Sequence, residues 1–205
     1  MSESKMLDAD HFVAHFRQPG EPMARGNFLS RIFGIFSEEI VRIWCRDDRS
    51  PYENLGRPTL HYEGKPYTLD FLFRSRATDR VFVVEQKCEI AFENYRYLTL
   101  SDVAQLAHHK KAAFAGFLAA AYERTRPPIF HRREPIETDG AILIWGALDR
   151  QNVRTIQEAT GLSDIISLSD VIQDLRTWRS DEYLQLVEDR RQWSAGLFAY
   201  LSEEA

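Results

Sequence analysis

Two cysteines, Cys45 and Cys88, are all that 205 residues contain, and neither sits in a metal-ligand spacing. That excludes a disulfide-stapled secreted scaffold and leaves a reduced, cytoplasmic protein as the expectation. Long apolar runs are also missing: none approaches the ~20 residues needed to cross a bilayer. The opening MSESKMLDADHF is polar and acidic, unlike a signal peptide, so no membrane partner is expected. There is no internal repeat and no low-complexity tract. An excess of positive charge is lacking too, with a formal net charge of −5, which counts against a protein that coats nucleic acid indiscriminately. It does not exclude local phosphate contacts, because the basic residues cluster. Arg74, Arg76 and Arg80 form one group, and Arg124, Arg126, Arg132 and Arg133 another.

What is present suits a globular α/β chain with a sizeable core: 44% of residues are apolar and 12% aromatic. Residues 1–26, with Gly20, Pro22 and Gly26, read as a tail or loose cap. The remainder, 27–205, reads as one domain whose last part, about 170–205, is a helical extension. From Asn27 the pattern is helical, with Phe28, Ile32, Ile35, Phe36, Ile40 and Ile43 on one stripe. Glu39 falls at the edge of that stripe and Glu38 points away. A carboxylate on an inner helix face wants a partner. It either pairs with an arginine such as Arg42 or Arg57, or faces the strands that follow.

Arg46–Pro58 reads as a loop, and Thr59–Tyr62 as a first strand turning at Glu63-Gly64-Lys65. Tyr67–Phe73 and Val81–Val84 are rich in aromatic and branched residues and flank a polar turn, giving three consecutive antiparallel strands. If the second hairpin is symmetric about its turn, Asp70 lies opposite Glu85. Alternation then sends Asp70, Glu85 and Lys87 to one face and Phe71, Phe73, Val84 and Gln86 to the other. Two adjacent carboxylates in a half-buried sheet repel each other, and a hard divalent cation such as Mg²⁺ resolves that cost. The neighbouring lysine can hold or deprotonate the attacking water. On an exposed strand the same Glu-x-Lys is only a solvated face with a weak ion pair.

The connection after Ile90 carries Tyr95, Arg96 and Tyr97, which either stack on bases or cover a core edge. Ser101 is expected to cap a long helix to about Arg124, with Gln105 and His109 on one face, Gln105 as an auxiliary group and Lys110 nearby. His108-His109 lacks further ligands for zinc. Arg126–Thr138 reads as a proline-rich loop, Ala141–Ala147 as a strand buried on both faces, and Asn152–Thr160 as a short helix ended by Gly161. A strand over Asp164–Leu168 and helices from Ser169 to Trp178 and Asp181 to Leu201 complete the chain.

The element order, with acids on successive strands and the Glu85-Gln86-Lys87 tripeptide, resembles the PD-(D/E)XK nuclease superfamily over about Asn27–Leu168. The resemblance implies a restriction-endonuclease-like three-layer α/β/α sandwich with a central mixed sheet, an αβββαβαβ core and C-terminal helices. It implies Mg²⁺-dependent endonucleolytic hydrolysis of DNA, in restriction, repair or mobile-element defence, with Mn²⁺ substituting. Asp70, Glu85 and the Gln86 backbone carbonyl are then the metal ligands, and Lys87 positions the attacking water. Glu39 takes the place of the helix acid at a second metal or through water. Arg74, Arg76, Tyr95, Arg96 and Lys110 are the expected DNA contacts. Leu69 stands where the motif often has proline, and Gln105 with His109 is similar to, but not the same as, the Gln-x-x-x-Tyr motif of recombination exonucleases. A nuclease-fold module without catalysis, serving as a binding subunit, is the alternative. Analogy with enzymes that cut both strands allows a homodimer through the C-terminal helix.

Overall fold

A computed structural model describes residues 27–88, 90–91, 96–109, 111–122 and 126–202. The expected tail 1–26, Tyr95, Lys110, Arg124 and the side chains of Phe28, Ile32 and Arg96 lie outside what is described. Five α-helices are present among the described residues: α1 (Asn27–Arg46), α2 (Ala112–Ala121), α3 (Val153–Thr160), α4 (Leu168–Thr177) and α5 (Asp181–Ser202). The strands are β1 (Tyr52–Gly56), β2 (Thr59–Tyr62), β3 (Lys65–Thr68), β4 (Phe71–Ser75), β5 (Val81–Lys87), β6 (Ile90–Ala91) and β7 (Arg96–Tyr97). They continue with β8 (Thr99–Leu100), β9 (Ile129–His131), β10 (Glu134–Ile136), β11 (Gly140–Trp145), β12 (Ala147–Leu148) and β13 (Asp164–Ser167).

The central sheet is mixed, in the order β1-β4-β5-β11-β13. Its first three strands run antiparallel, whereas β11 pairs parallel with both β5 and β13. Every residue of β11 is buried, as expected for a strand covered on both faces. One face packs Phe71, Phe73, Val84, Ile142 and Ile144 against Ile40, Val41 and Trp44 of α1 and Leu168, Val171 and Leu175 of α4. The other packs Leu72, Val83, Ala141 and Leu143 against Phe114 and Phe117 of α2 and Ile156 of α3. The indole of Trp44 donates to Asp174 Oδ2 at 3.0 Å, tying α1 to α4.

Several sequence expectations are corrected. The run Tyr67–Phe73 is not one strand: it breaks at Leu69-Asp70. Leu69 is fully buried and its N–H bonds the Pro58 carbonyl at 3.0 Å, which turns the chain from one sheet into the other. The three strands are therefore not a single meander. The β2–β3 hairpin belongs to a second, four-stranded sheet in the order β10-β9-β2-β3. Within the expected loop Arg46–Pro58, Tyr52–Gly56 pairs with β4 and supplies the outer edge of the central sheet. The expected loop Arg126–Thr138 folds as the β9–β10 hairpin. The long helix expected from Ser101 is instead a 3-10 helix, Val103–His108, capped by Asp102, followed by the separate α2.

Candidate active site

Extending the hairpin register from Phe71↔Val84 by one residue sets Asp70 against Glu85 at the open end of β4–β5. The Asp70 carboxylate is held there by two donors. Its Oδ2 accepts from the Gln86 N–H at 2.8 Å, and its Oδ1 accepts from Arg57 at 3.3 Å. Glu85 is 9% exposed and its Oε1 accepts from Lys87 Nζ, while Oε2 has no hydrogen-bond partner among the described residues. The Lys87 ammonium also donates to the Gln86 carbonyl at 3.2 Å and lies 5.6 Å from the centre of the Phe114 ring. Burial raises the Glu85 carboxyl above its ordinary value; Lys87 opposes that shift and the Asp70 charge adds to it.

α1 contributes a further acid, and it is Glu38. Its Oε2 accepts from Arg42 at 2.7 Å and lies 3.8 Å from Arg57, so Arg57 bridges Glu38 and Asp70. Burial and then the Asp70 charge raise the Glu38 carboxyl. This corrects the expectation for Glu39, whose carboxylate is turned to the far side of α1, where Arg190 of α5 bonds both its oxygens at 2.7 and 2.9 Å. The core stripe of α1 centres on Ser37, Val41 and Trp44, not on Ile35, which is 60% exposed. Because successive residues turn by about 100°, that shift moves Glu38 to the flank nearest the hairpin and Glu39 to the back.

Gln105 is also corrected. Its side-chain carbonyl accepts from the Ser101 and Asp102 N–H groups and its amide donates to Thr99 O, so it caps the 3-10 helix. His109 lies with its ring 5.1 Å from Phe114 and 5.8 Å from Trp145, on the flank of Lys87. Arg74 and Arg76 sit at the turn end of the hairpin, about 13–20 Å along the strand from Asp70 by strand rise. There Arg74 pairs with Glu53 and Asp79, and Arg76 donates to the Cys45 carbonyl at 3.1 Å. Of the expected DNA-contact residues these two are therefore remote from the carboxylates, and Tyr97 packs its ring against the α1-side core. Arg57 and Glu38 are the residues sequence reasoning assigned differently. Arg57 carries no periodic signal, and Glu38 depends on the helix's rotation.

Among the described residues, no three His, Cys, Asp or Glu side chains gather closely enough to hold a metal ion. The donors nonetheless fit Mg²⁺ in kind: two hard carboxylates, a strand carbonyl between them, and a buried Glu85 oxygen with no partner. No helix among the described residues is long and apolar enough to cross a membrane. No family model, no curated protein and no solved structure matches the chain.

Proposed function

We propose that the chain is a metal-dependent nuclease that hydrolyses phosphodiester bonds of DNA, on a restriction-endonuclease-like arrangement of its central sheet. The observation that carries the reading is the meeting of Asp70, Glu85 and Lys87 at one end of β4–β5, with one Glu85 oxygen buried and unbonded. The order of α1, an antiparallel β1-β4-β5 unit and parallel β11 and β13 supports it.

Under this reading Asp70, Glu85 and the Gln86 carbonyl would hold Mg²⁺, with Mn²⁺ as a substitute, and Glu38 replaces Glu39 as the acid from α1. The ion's contribution is to neutralise charge on the phosphoryl group and to lower the pKa of water. Lys87 Nζ orients the attacking water against the phosphorus and carries a proton beside the charge that develops there. Gln86 N–H and Arg57 fix the Asp70 carboxylate, so it does not have to be ordered when substrate binds. Residue Glu85 is kept out of bulk water by β11, where its partner is Leu143.

One observation favours a second reading, a binding module of the same architecture. Arg57 and Lys87 already neutralise the two carboxylates, as a site without a metal requires. Plasmid incubated with Mg²⁺ or Mn²⁺ separates the two. The wild-type protein is expected to nick or linearise it, and Lys87→Ala and Asp70→Ala are expected to lose about 10²-fold or more of that rate. Cleavage that survives both substitutions overturns the site. A wild-type protein that retards DNA without cutting it under either metal establishes the binding module instead.

A further inference from the structure

The two hairpins of the four-stranded sheet turn in the same way and with very different residues. The β2–β3 turn has positive φ at Glu63 (51°) and Gly64 (73°), with glycine at the second position. The β9–β10 turn has positive φ at Arg132 (53°) and Arg133 (72°), two long side chains where this turn type favours Asn-Gly. Both arginines are exposed, and neither forms an ion pair or hydrogen bond with any described residue, Glu134 at the start of β10 included. Other exposed arginines such as Arg49, Arg154 and Arg191 are matched to a carboxylate, whereas Arg176 and Arg179 form no ion pair among the described residues and Arg179 also has positive φ (53°). What distinguishes the tip is adjacency: two neighbouring arginines, both at positive φ on one turn and without a carboxylate partner among the described residues, are poorly explained by folding alone.

Their position follows from the register. Thr68, at the end of β3, pairs with Thr59, and Thr59 pairs with Phe130. One residue further on, Leu69 bonds Pro58, and a Cβ built on Gly56 would come 3.3 Å from His131 Nε2. The Arg132-Arg133 tip thus begins beside the Gly56-Arg57-Pro58 segment, whose Arg57 holds Asp70. From that segment β3 leads directly into the carboxylate site.

We infer that the Arg132-Arg133 tip grips backbone phosphates of a nucleic acid whose strand runs into the Asp70–Glu85 site. The inference rests on the nuclease reading and names the surface by which substrate is held. Guanidinium forks match phosphate oxygens, and a tip without carboxylate partners has no ion pair to break before it binds. The chain's net charge of −5 makes such local patches the means by which a polyanion is approached at all.

The test sets stability against affinity. Arg132→Asn with Arg133→Gly installs the residues the turn prefers, so the double variant should unfold at the same temperature as the wild type or higher. Its affinity for a fluorescein-labelled duplex oligonucleotide, measured by anisotropy with Ca²⁺ in place of Mg²⁺, should fall about tenfold or more. The slope of log affinity against log salt should lose about 1.8, or 0.9 per phosphate contact. Arg132→Lys with Arg133→Lys keeps the charge and should retain most of that slope. Wild-type protein that binds and cuts DNA while the Asn-Gly variant keeps its affinity and salt slope overturns the inference and spares the nuclease reading. Wild-type protein that neither binds nor cuts the duplex overturns both.

Discussion

Arg57 occupies a position that only the folded chain defines. It lies between β1 and β2, far in sequence from Glu38, yet it spans Glu38 and Asp70 as a single cation between two acids. Without it the two carboxylates would face each other across the entrance to the site, and the Asp70 charge already raises the cost of ionising Glu38 and Glu85. The pairing makes the two glutamates of α1 separable by experiment. Glu38→Gln removes an acid from the site and should lower the cleavage rate by about 10²-fold, with little loss of stability because burial already disfavours its charge. Glu39→Gln removes a half-exposed ion pair with Arg190 and should cost under about 1 kcal/mol of stability while leaving cleavage within a few-fold. Parallel turnover and urea-unfolding measurements on the two variants check this; equal activity losses would return Glu39 to the site.

The elements differ in how openly the sequence displays them, and the reason is burial. β4–β5 is legible because short continuous runs of aromatic and branched residues mark strands packed on both faces, while symmetry about the turn set Asp70 opposite Glu85 and strand alternation gave them one face. Strand β1, with Glu53, Asn54 and Gly56, is an edge strand whose residues are only partly buried, so its composition is that of a loop. The β9–β10 hairpin hides for the same reason, since Arg132-Arg133 does not spell a turn and Pro135 suggests none of the pairing present. Glu38 was illegible because an α-helix shows the spacing of its stripe more clearly than its rotation, and the exposed Ile35 pulled the expected stripe toward Glu39. Helix α2 depends on a contact that no propensity scale contains. A Cβ at Gly116 would come 2.6 Å from Leu60 Cδ2 and 2.8 Å from Tyr62 Cβ, so the glycine lets the helix lie against β2. Gly116→Ala should therefore destabilise by about 1–2 kcal/mol, overpacking outweighing the ~1 kcal/mol gain in helix propensity. The control is Gly196→Ala in α5, where nothing lies within 4 Å and the same substitution should stabilise. Thermal unfolding of both variants reads the signs directly. Because Phe114 of α2 lies beside Lys87, the Gly116 variant should also lose activity below its unfolding temperature.

For the molecule as a whole, the proposed metal site makes pH and divalent cation act on the same groups, with effects of opposite sign. Glu85 and Glu38 have folded-state values raised above the unfolded ones. Each therefore contributes stability that is complete below the ordinary glutamate value and is lost as pH rises through the raised one. Asp47 acts the other way: bonds from Arg49 hold it near about 2, so its contribution is present above the ordinary aspartate value and lost as pH falls through about 2. Between mildly acidic and neutral pH the glutamates govern, and metal-free protein should become less stable as pH rises across their window. Glu85→Gln carries no charge to desolvate, while Lys87 keeps the Gln86 carbonyl and the Phe114 ring as neighbours. In EDTA the variant should be the more stable of the two at neutral pH, the margin closing as pH falls toward the ordinary glutamate value. If the ionised carboxylates hold Mg²⁺ as proposed, saturating Mg²⁺ should raise the wild type's stability most where Glu85 is charged and reverse its trend with pH. The same addition should leave Glu85→Gln almost unmoved. Urea titrations over a pH series, with EDTA and with Mg²⁺, measure all four curves. A wild type whose pH trend is the same with and without Mg²⁺ would show that the carboxylates keep Arg57 and Lys87 as their only cations.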